Sequence, residues 1–456
     1  MGNTQQTAGS PSSPPTSPPR SDVSAGVGLA GLCGLFIWLA ICRNWPVIAP
    51  VLGVTGERGV LNGPYAALLA LFFSGIPMVS WSLWRDKVHR RASTGLDWHN
   101  PRPLSAALET AVTKLAGLWS TWAVIAALYC IARWYWRGDY LFAMEVLGVL
   151  SVPMLLFSVP YVLWLDRYMV NPRDQAWHFG AMLIGREAYE REQVFHHLRG
   201  WAVKGFFIAF MFSILPGGWQ MAVSTQLTHG AAADPVALWM FLINMMFMID
   251  VQIAMVGYLL TLKPLDAQIR TANPYLGGWL AALLCYPPFL LMGSGDVLDY
   301  HVNTADWAYW FAGHTTLLWV WGAVLTVLTA IYAWATVAFG IRFSNLTYRG
   351  VLTNGPYRFT RHPAYLSKNL FWWLSTLPFL VTSHSFTDMV RNTVIMAIVS
   401  AIYYWRARTE EKHLLAEDAK YREYHAWMAE NAPITRGLGR LQALFRPRGP
   451  QAQPVE

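Results

Sequence analysis

Long apolar runs separated by short polar or basic stretches set the rhythm of this chain. They fall near 24–42, 60–84, 113–136, 140–165, 201–223, 236–262, 276–294, 314–340, 364–383 and 388–405. Each approaches the roughly 20 residues that an α-helix needs to cross a bilayer core of about 30 Å. The runs are too long and too unalternating for barrel strands, and backbone in lipid must satisfy its own hydrogen bonds. The pattern therefore predicts an all-α fold: a polytopic transmembrane helical bundle of about ten spans.

Composition agrees with that pattern. Of 456 residues, 54% are hydrophobic and only 13% are charged, which excludes a single soluble core. Basic stretches at 85–102, 167–199, 263–270, 342–361 and 406–448 alternate with stretches such as 224–235 and 293–313 that hold no Lys or Arg. The positive-inside bias puts the basic set in the cytoplasm, and with ten spans both termini join it. The net charge of +8 is mostly this topological signal. It forms no nucleic-acid patch, because the basic residues are scattered beside membrane entries. Cys33, Cys42, Cys130 and Cys285 fall in or near spans without metal-ligand spacing. They read as small buried hydrophobes, and no metal site is expected.

Four regions follow from composition. Residues 1–22 form a Pro/Ser/Thr-rich tail that buries too little to fold, and residues 436–456 a basic flexible tail. Residues 23–340 form the membrane region, interrupted by a loop at 165–200 that reads either as an interfacial amphipathic helix or as a wall of a substrate site. Residues 341–435 hold the concentrated chemistry. Two further features read as packing or chance. Small residues in "GVGLAGLCG" suit helix packing, and the echo of "RGVLNGPY" in "RGVLTNGPY" has no matching flanks.

In "TNGPYRFTRHPAYLSKNLFWW", Asn354-Gly355-Pro356 is a turn signal and Pro363 suits the first turn of a helix. That helix carries Tyr365, Lys368, Asn369 and Trp372 on one face, so a polar stripe enters the membrane. Lys368 lies near enough to the interface to snorkel to lipid phosphates, whereas Asn369 cannot reach as far. Some 40 residues on, "RARTEEKHLLAEDAKYREYHAWM" continues the last span as a polar helix. Helical spacing puts Arg406, Glu410 and His413 on one face, and Arg408 with Glu411 on the next.

"NGPYRFTRHPAYLS" followed by "RTEEKHLLAEDAKYREY" resembles the C-terminal core of the isoprenylcysteine carboxyl methyltransferases and their phospholipid methyltransferase relatives, over about residues 345–430. Ser367 stands where that pattern has glycine, which implies a slightly smaller or shifted pocket. The resemblance implies S-adenosylmethionine bound between the loop, the helical hairpin and the C-terminal helix, with an acceptor arriving from the bilayer. It implies cofactor contacts at Tyr357, His362, Pro363, Tyr365, Ser367, Glu410 and Glu411, and catalytic roles for Arg358, Arg361 and Arg406. Glu410 and Glu411 would take the ribose diol or the amino group, and Arg358 or Arg361 a carboxylate.

The resemblance also implies that the acceptor is a membrane lipid or a lipidated molecule. A carboxylate needs no general base, whereas an amine or thiol would need His413 or a glutamate to take its proton. The site would face the cytoplasm, in the inner membrane of a bacterium or the endoplasmic reticulum of a eukaryote. Two other readings stay open: a sterol-reductase-like oxidoreductase using a nicotinamide dinucleotide phosphate, and a non-catalytic, transporter-like protein that keeps the core. Asp250, with Asn244 and Gln252 nearby, fits either an intramembrane site or a structural polar contact.

Overall fold

The structure, a computed structural model, describes residues 17–56, 58–185, 188–226 and 234–444. In chain order the α-helices are α1 (Ala25–Arg43), α2 (Trp45–Val51), α3 (Pro64–Ser80), α4 (Leu104–Ile131), α5 (Tyr140–Tyr168), α6 (Gln175–Ile184), α7 (Arg191–Ser224) and α8 (Pro235–Leu259). They continue with α9 (Leu276–Leu283), α10 (Trp307–Trp310), α11 (Thr315–Phe339), α12 (Pro363–Thr376), α13 (Phe386–Glu417), α14 (Ala419–Asn431) and α15 (Pro433–Leu444).

Among the described residues, seven helices are long and apolar enough to cross a membrane: α1, α3, α4, α5, α7, α8 and α11. Ile37, Phe72, Val124, Phe157 and Val327 stay exposed on their outer faces, as lipid-facing positions require. The other three predicted runs are not among these seven. The run at 276–294 forms only the eight-residue α9, with Pro287 and Pro288 soon after it. The run at 364–383 forms the 14-residue α12, which reaches about 21 Å at 1.5 Å per residue. It stops where Leu377 turns left-handed (φ 49°) ahead of Pro378. The run at 388–405 lies within the 32-residue α13, whose polar start and charged C-terminal half keep it outside the seven.

The main core joins α1, α3, α7, α8 and α11 through residues such as Leu35, Met78, Phe207, Trp219, Ile253 and Ala333. Small residues let these helices approach closely, as expected for membrane bundles. A Cβ on Gly34 of α1 would lie 1.8 Å from the Phe73 carbonyl oxygen of α3. Cys42 and Cys285 are buried as expected, but Cys33 and Cys130 lie on exposed faces.

The 165–200 stretch contains the expected helix, α6, with Asp174 capping it by accepting from the Trp177 amide at 3.3 Å. This helix docks on α4, and Trp177, Phe179 and Ala181 are buried. A Cβ on Gly180 would stand 1.9 Å from the Thr113 carbonyl oxygen, so only glycine permits the contact. One turn away, Lys114 Nζ pairs with Asp166 at 2.5 Å and Asp174 at 3.3 Å, tying α4, α5 and the start of α6 together.

Loop contacts frame the C-terminal region. Strands β1 (Thr271–Ala272) and β2 (Thr347–Tyr348) pair antiparallel, joining the segment after α8 to the segment after α11. Arg349 is buried with its guanidinium donating to five backbone carbonyls, including Gly257 at 2.9 Å, Phe343 at 2.8 Å and Ile341 at 2.7 Å. Residues 1–16 of the predicted N-terminal tail lie outside the described residues, but its end is bonded. The Asp22 amide donates to Val351 O at 2.9 Å, and the Asp22 carboxylate pairs with Lys420 at 2.5 Å. At the other end, α15 runs into the stretch read as a basic tail, of which 445–456 lie outside the described residues.

Candidate active site

The turn signal at 354–356 becomes a short 3-10 turn, Gly355–Arg358, with Gly355 at φ +57°. Pro363 opens α12 at its first turn, where a missing N–H is harmless. After the short α12, α13 returns alongside and brings Arg406, Glu410 and Glu411 back to the 355–365 loop. Helix α14 then closes over the site, with the Tyr424 hydroxyl donating to Tyr357 O at 2.7 Å.

Two carboxylates adjacent in sequence organise the site differently. Glu411, with its side chain 3% exposed, meets two guanidinium groups and an imidazole. Its Oε1 lies 2.8 Å from Arg361 Nε and 2.9 Å from His362 Nε2, and its Oε2 accepts from Arg408 at 2.6 Å. Burial opposes ionisation of Glu411, but the His362 hydrogen bond and the charges of His362 and Arg361 outweigh it and hold the carboxyl at about 2. Glu410 is more open, at 23%. Its Oε1 accepts from the Tyr365 hydroxyl at 2.5 Å and from Arg406 Nε at 3.3 Å. Arg406, 2% exposed, also donates to Asn345 Oδ1 at 2.6 Å and to the Tyr286 hydroxyl at 3.3 Å.

These groups surround a cavity of about 170 Å³ that is partly open to solvent. Tyr357, Arg361, His362, Tyr365, Arg406 and Glu410 line it, so the structure brings six of the ten predicted site residues to one space. The other four lie elsewhere. Glu411 sits behind the lining as a partner of Arg361 and His362. Pro363 is buried at the helix start, and Arg358 is exposed outside the cavity. Ser367 is buried, and its hydroxyl donates at 2.8 Å to Pro363 O of its own helix. Ser367 is not among the residues lining the cavity.

His413 also lines the cavity, with Nε2 3.0 Å from Thr271 Oγ1. Burial, helped by the charges of His196 and Arg199, pulls its imidazole down to about 4, so it is neutral near pH 7.

Sequence reasoning missed several lining residues: Tyr286, Tyr332, Asn345 and Leu346, with Tyr403, Tyr421 and Tyr424. Tyr286 comes from a proline-broken run that looked like a span, and Tyr332 from inside α11. Neither position carries a local signal. Tyr421 and Tyr424 belong to a tyrosine-rich stretch whose i, i+3 spacing puts both on one helical face, and that signal was readable. Leu346 lines the cavity at φ +58°, a left-handed backbone that a leucine adopts only under constraint.

Lys368 is the clearest departure from expectation. Instead of reaching to lipid phosphates, its ammonium turns into the cavity among aromatic rings. Asp250 accepts from the Thr336 hydroxyl on α11, and so makes a polar contact inside the bundle.

Comparison with known proteins bears on this part of the chain. The sequence model of the isoprenylcysteine carboxyl methyltransferase (ICMT) family matches residues 335–416. The matched segment runs from the end of α11 through α12 and nearly all of α13, and so contains both glutamates and the 355–365 loop. The C-terminal core is therefore isoprenylcysteine carboxyl methyltransferase-like. No curated protein and no solved structure matches the chain.

Proposed function

We propose that the chain is an integral-membrane methyltransferase that takes S-adenosylmethionine as methyl donor and a lipid-soluble or prenylated molecule as acceptor. The observation that carries this reading is one cavity, lined mostly by the family-matched segment and walled by Glu410 and Arg361 with His362, Tyr365 and Arg406. A half-open carboxylate beside fixed cations and tyrosine faces suits a ligand with an amine, a carboxylate and a diol.

The donor supplies an electrophilic methyl group on a sulfonium. The chain's own residues would bind and orient it. Glu410 has lone pairs free for the ribose hydroxyls or the amino group. Arg361, steadied by Glu411, would take the carboxylate, and Glu411 would set the position of His362 as well. Tyr357, Tyr365 and Tyr424 would supply ring faces and exclude water. In-line displacement at carbon gains most from such positioning and from a dry site. His413, neutral at physiological pH, is available to accept a proton where the acceptor has one to lose. The basic stretches flanking the site support an active site on the cytoplasmic face.

The test is incubation of membranes with methyl-labelled S-adenosylmethionine, followed by separation of lipid and protein. Label in one fraction, lost in Glu410→Ala and His362→Ala, supports the reading. Binding of a nicotinamide dinucleotide phosphate in place of S-adenosylmethionine would overturn it.

A further inference from the structure

The end of the stretch read as an unfolded tail is bonded along the outside of the candidate site, and the proposed chemistry gives it no role. Thr353 Oγ1 donates to Pro19 O at 2.8 Å, Asn354 Nδ2 to Val23 O at 2.9 Å, and the Asp22 amide to Val351 O at 2.9 Å. Gly350, Val351 and Leu352, which run through these contacts, line the cavity. Residues 19–24 are therefore a strap across one cavity wall. Arg91 Nη1 donates to Asp22 O at 2.8 Å and the Ser24 hydroxyl to Asp86 at 2.6 Å, so the strap is also anchored to the segment between α3 and α4.

The Asp22 carboxylate joins this wall to a second one. One oxygen accepts from the Val351 amide at 2.7 Å, and the other pairs with Lys420 Nζ at 2.5 Å. Lys420 lies in the first turn of α14, and Tyr421 and Tyr424 of that helix line the cavity. A single non-helical residue, Asp418 (φ −134°, ψ 123°), separates α13 from α14, which makes a hinge. Two other contacts hold α14: the Tyr348 hydroxyl donates to Asp418, and the Tyr424 hydroxyl to Tyr357 O. Arg342 lies 3.8 Å from Asp22 but has Asp266 at 2.6 Å, so the Asp22 charge serves Lys420 first.

We propose that Asp22 is a positioning residue that latches α14 over the cavity, so that the strap sets how readily the site opens to solvent. That the enclosed ligand is S-adenosylmethionine rests on the methyltransferase reading, whereas the latch follows from the contacts themselves. The pair is partly exposed, 22% at Asp22 and 31% at Lys420. It therefore adds little to overall stability and acts on the local opening of one helix.

The experiment uses the full chain in nanodiscs and reads amide hydrogen exchange by mass spectrometry without ligand, then the release rate of labelled S-adenosylmethionine. Asp22→Asn keeps an oxygen for the Val351 amide and removes the charge that Lys420 meets. Amides of α14 should exchange about fivefold faster in Asp22→Asn and in Lys420→Met, and no faster still in the double variant. Lys420→Arg should match wild type. Exchange in α7 and α8 should not change, whereas a purely structural tie would speed it as well. S-adenosylmethionine should leave each single variant about fivefold faster. Wild-type exchange of α14 in Asp22→Asn, or additive effects in the double variant, overturns the inference, and so does faster α14 exchange with unaltered release. A wild type that binds no S-adenosylmethionine counts against the methyltransferase reading alone, and the exchange rates still decide the latch.

Discussion

Two buried ionic clusters in this molecule look alike as sequence and differ in what surrounds them. Lys114 with Asp166 and Asp174 joins α4 to α5 and α6, and its ammonium and first carboxylate are 5% and 0% exposed. Arg361, His362 and Arg408 around Glu411 are as tightly bonded, but they stand behind a cavity whose lining includes two of them. An ionisable residue inside a helical bundle is therefore not by itself a sign of a site. The sign is a bonded cluster that stands beside a cavity into which other polar groups, such as Glu410, also face.

Breaking each cluster should separate these roles. Glu411→Ala leaves Arg361, Arg408 and His362 without their acid, and removing one partner of a buried pair is worth roughly 3–5 kcal/mol. Unfolding in detergent should show that loss, and calorimetry should show S-adenosylmethionine affinity down by about 100-fold, or ~2.7 kcal/mol. Lys114→Met should destabilise by a comparable ~3–5 kcal/mol, because Asp166 is left buried and unpaired. Its cofactor affinity should stay that of wild type. Equal loss of affinity in both variants would mean that the Glu411 cluster is only another structural tie.

Glu410→Gln comes next in size. It keeps the shape and removes the charge of the open carboxylate, so cofactor affinity should fall about tenfold, or ~1.4 kcal/mol, with the unfolding midpoint nearly unchanged. A shifted midpoint with unaltered affinity would reverse the assignment of the two glutamates.

Acid should act on the site in two windows. The folded-state value of His413 lies below its ordinary 6.5, at about 4, so the folded form resists protonation that the unfolded chain accepts. Its contribution to stability is complete above about 6.5 and is lost as pH falls toward 4. Glu411, held at about 2 against an ordinary 4.5, contributes fully above 4.5 and loses its share as pH falls toward 2. Between pH 7 and 5 only His413 titrates of these two. Unfolding of His413→Gln should therefore be flatter than wild type over that interval, and identical slopes would show that the histidine does not resist protonation.

The legible parts of the molecule were those written in local pattern. Seven of the ten apolar runs are helices of spanning length, and helical spacing placed Arg406 beside Glu410 and Arg408 beside Glu411 as found. Run length failed where proline interrupts helix geometry, as at Pro287 and Pro378, because hydropathy does not register backbone breaks. Depth of burial was also illegible. Glu410 and Glu411 are indistinguishable on the chain, and only the return of α13 against the 355–365 loop puts one in the cavity wall and the other behind it. Lys368 looked like a lipid-facing cation because Tyr332, which helps hold it inward, lies 36 positions earlier on another helix.

The smallest expected effects concern residues that the pattern marked and the geometry moved aside. Ser367→Gly removes a hydroxyl that is bonded to its own helix, so cofactor affinity should be unaltered. The change should cost about 0.5–1 kcal/mol in stability, as glycine does within a helix. Arg358→Ala removes an exposed guanidinium outside the lining and should leave both affinity and stability within about 0.5 kcal/mol of wild type. Arg361→Ala, only three positions away, removes a cavity cation and an ion-pair partner of Glu411, and should weaken the cofactor by about tenfold. The pair is best read on one calorimeter with the same membrane preparation. If Arg358→Ala weakens binding as much as Arg361→Ala, the donor's carboxylate lies at the rim, and the cavity behind Arg361 belongs to the acceptor instead.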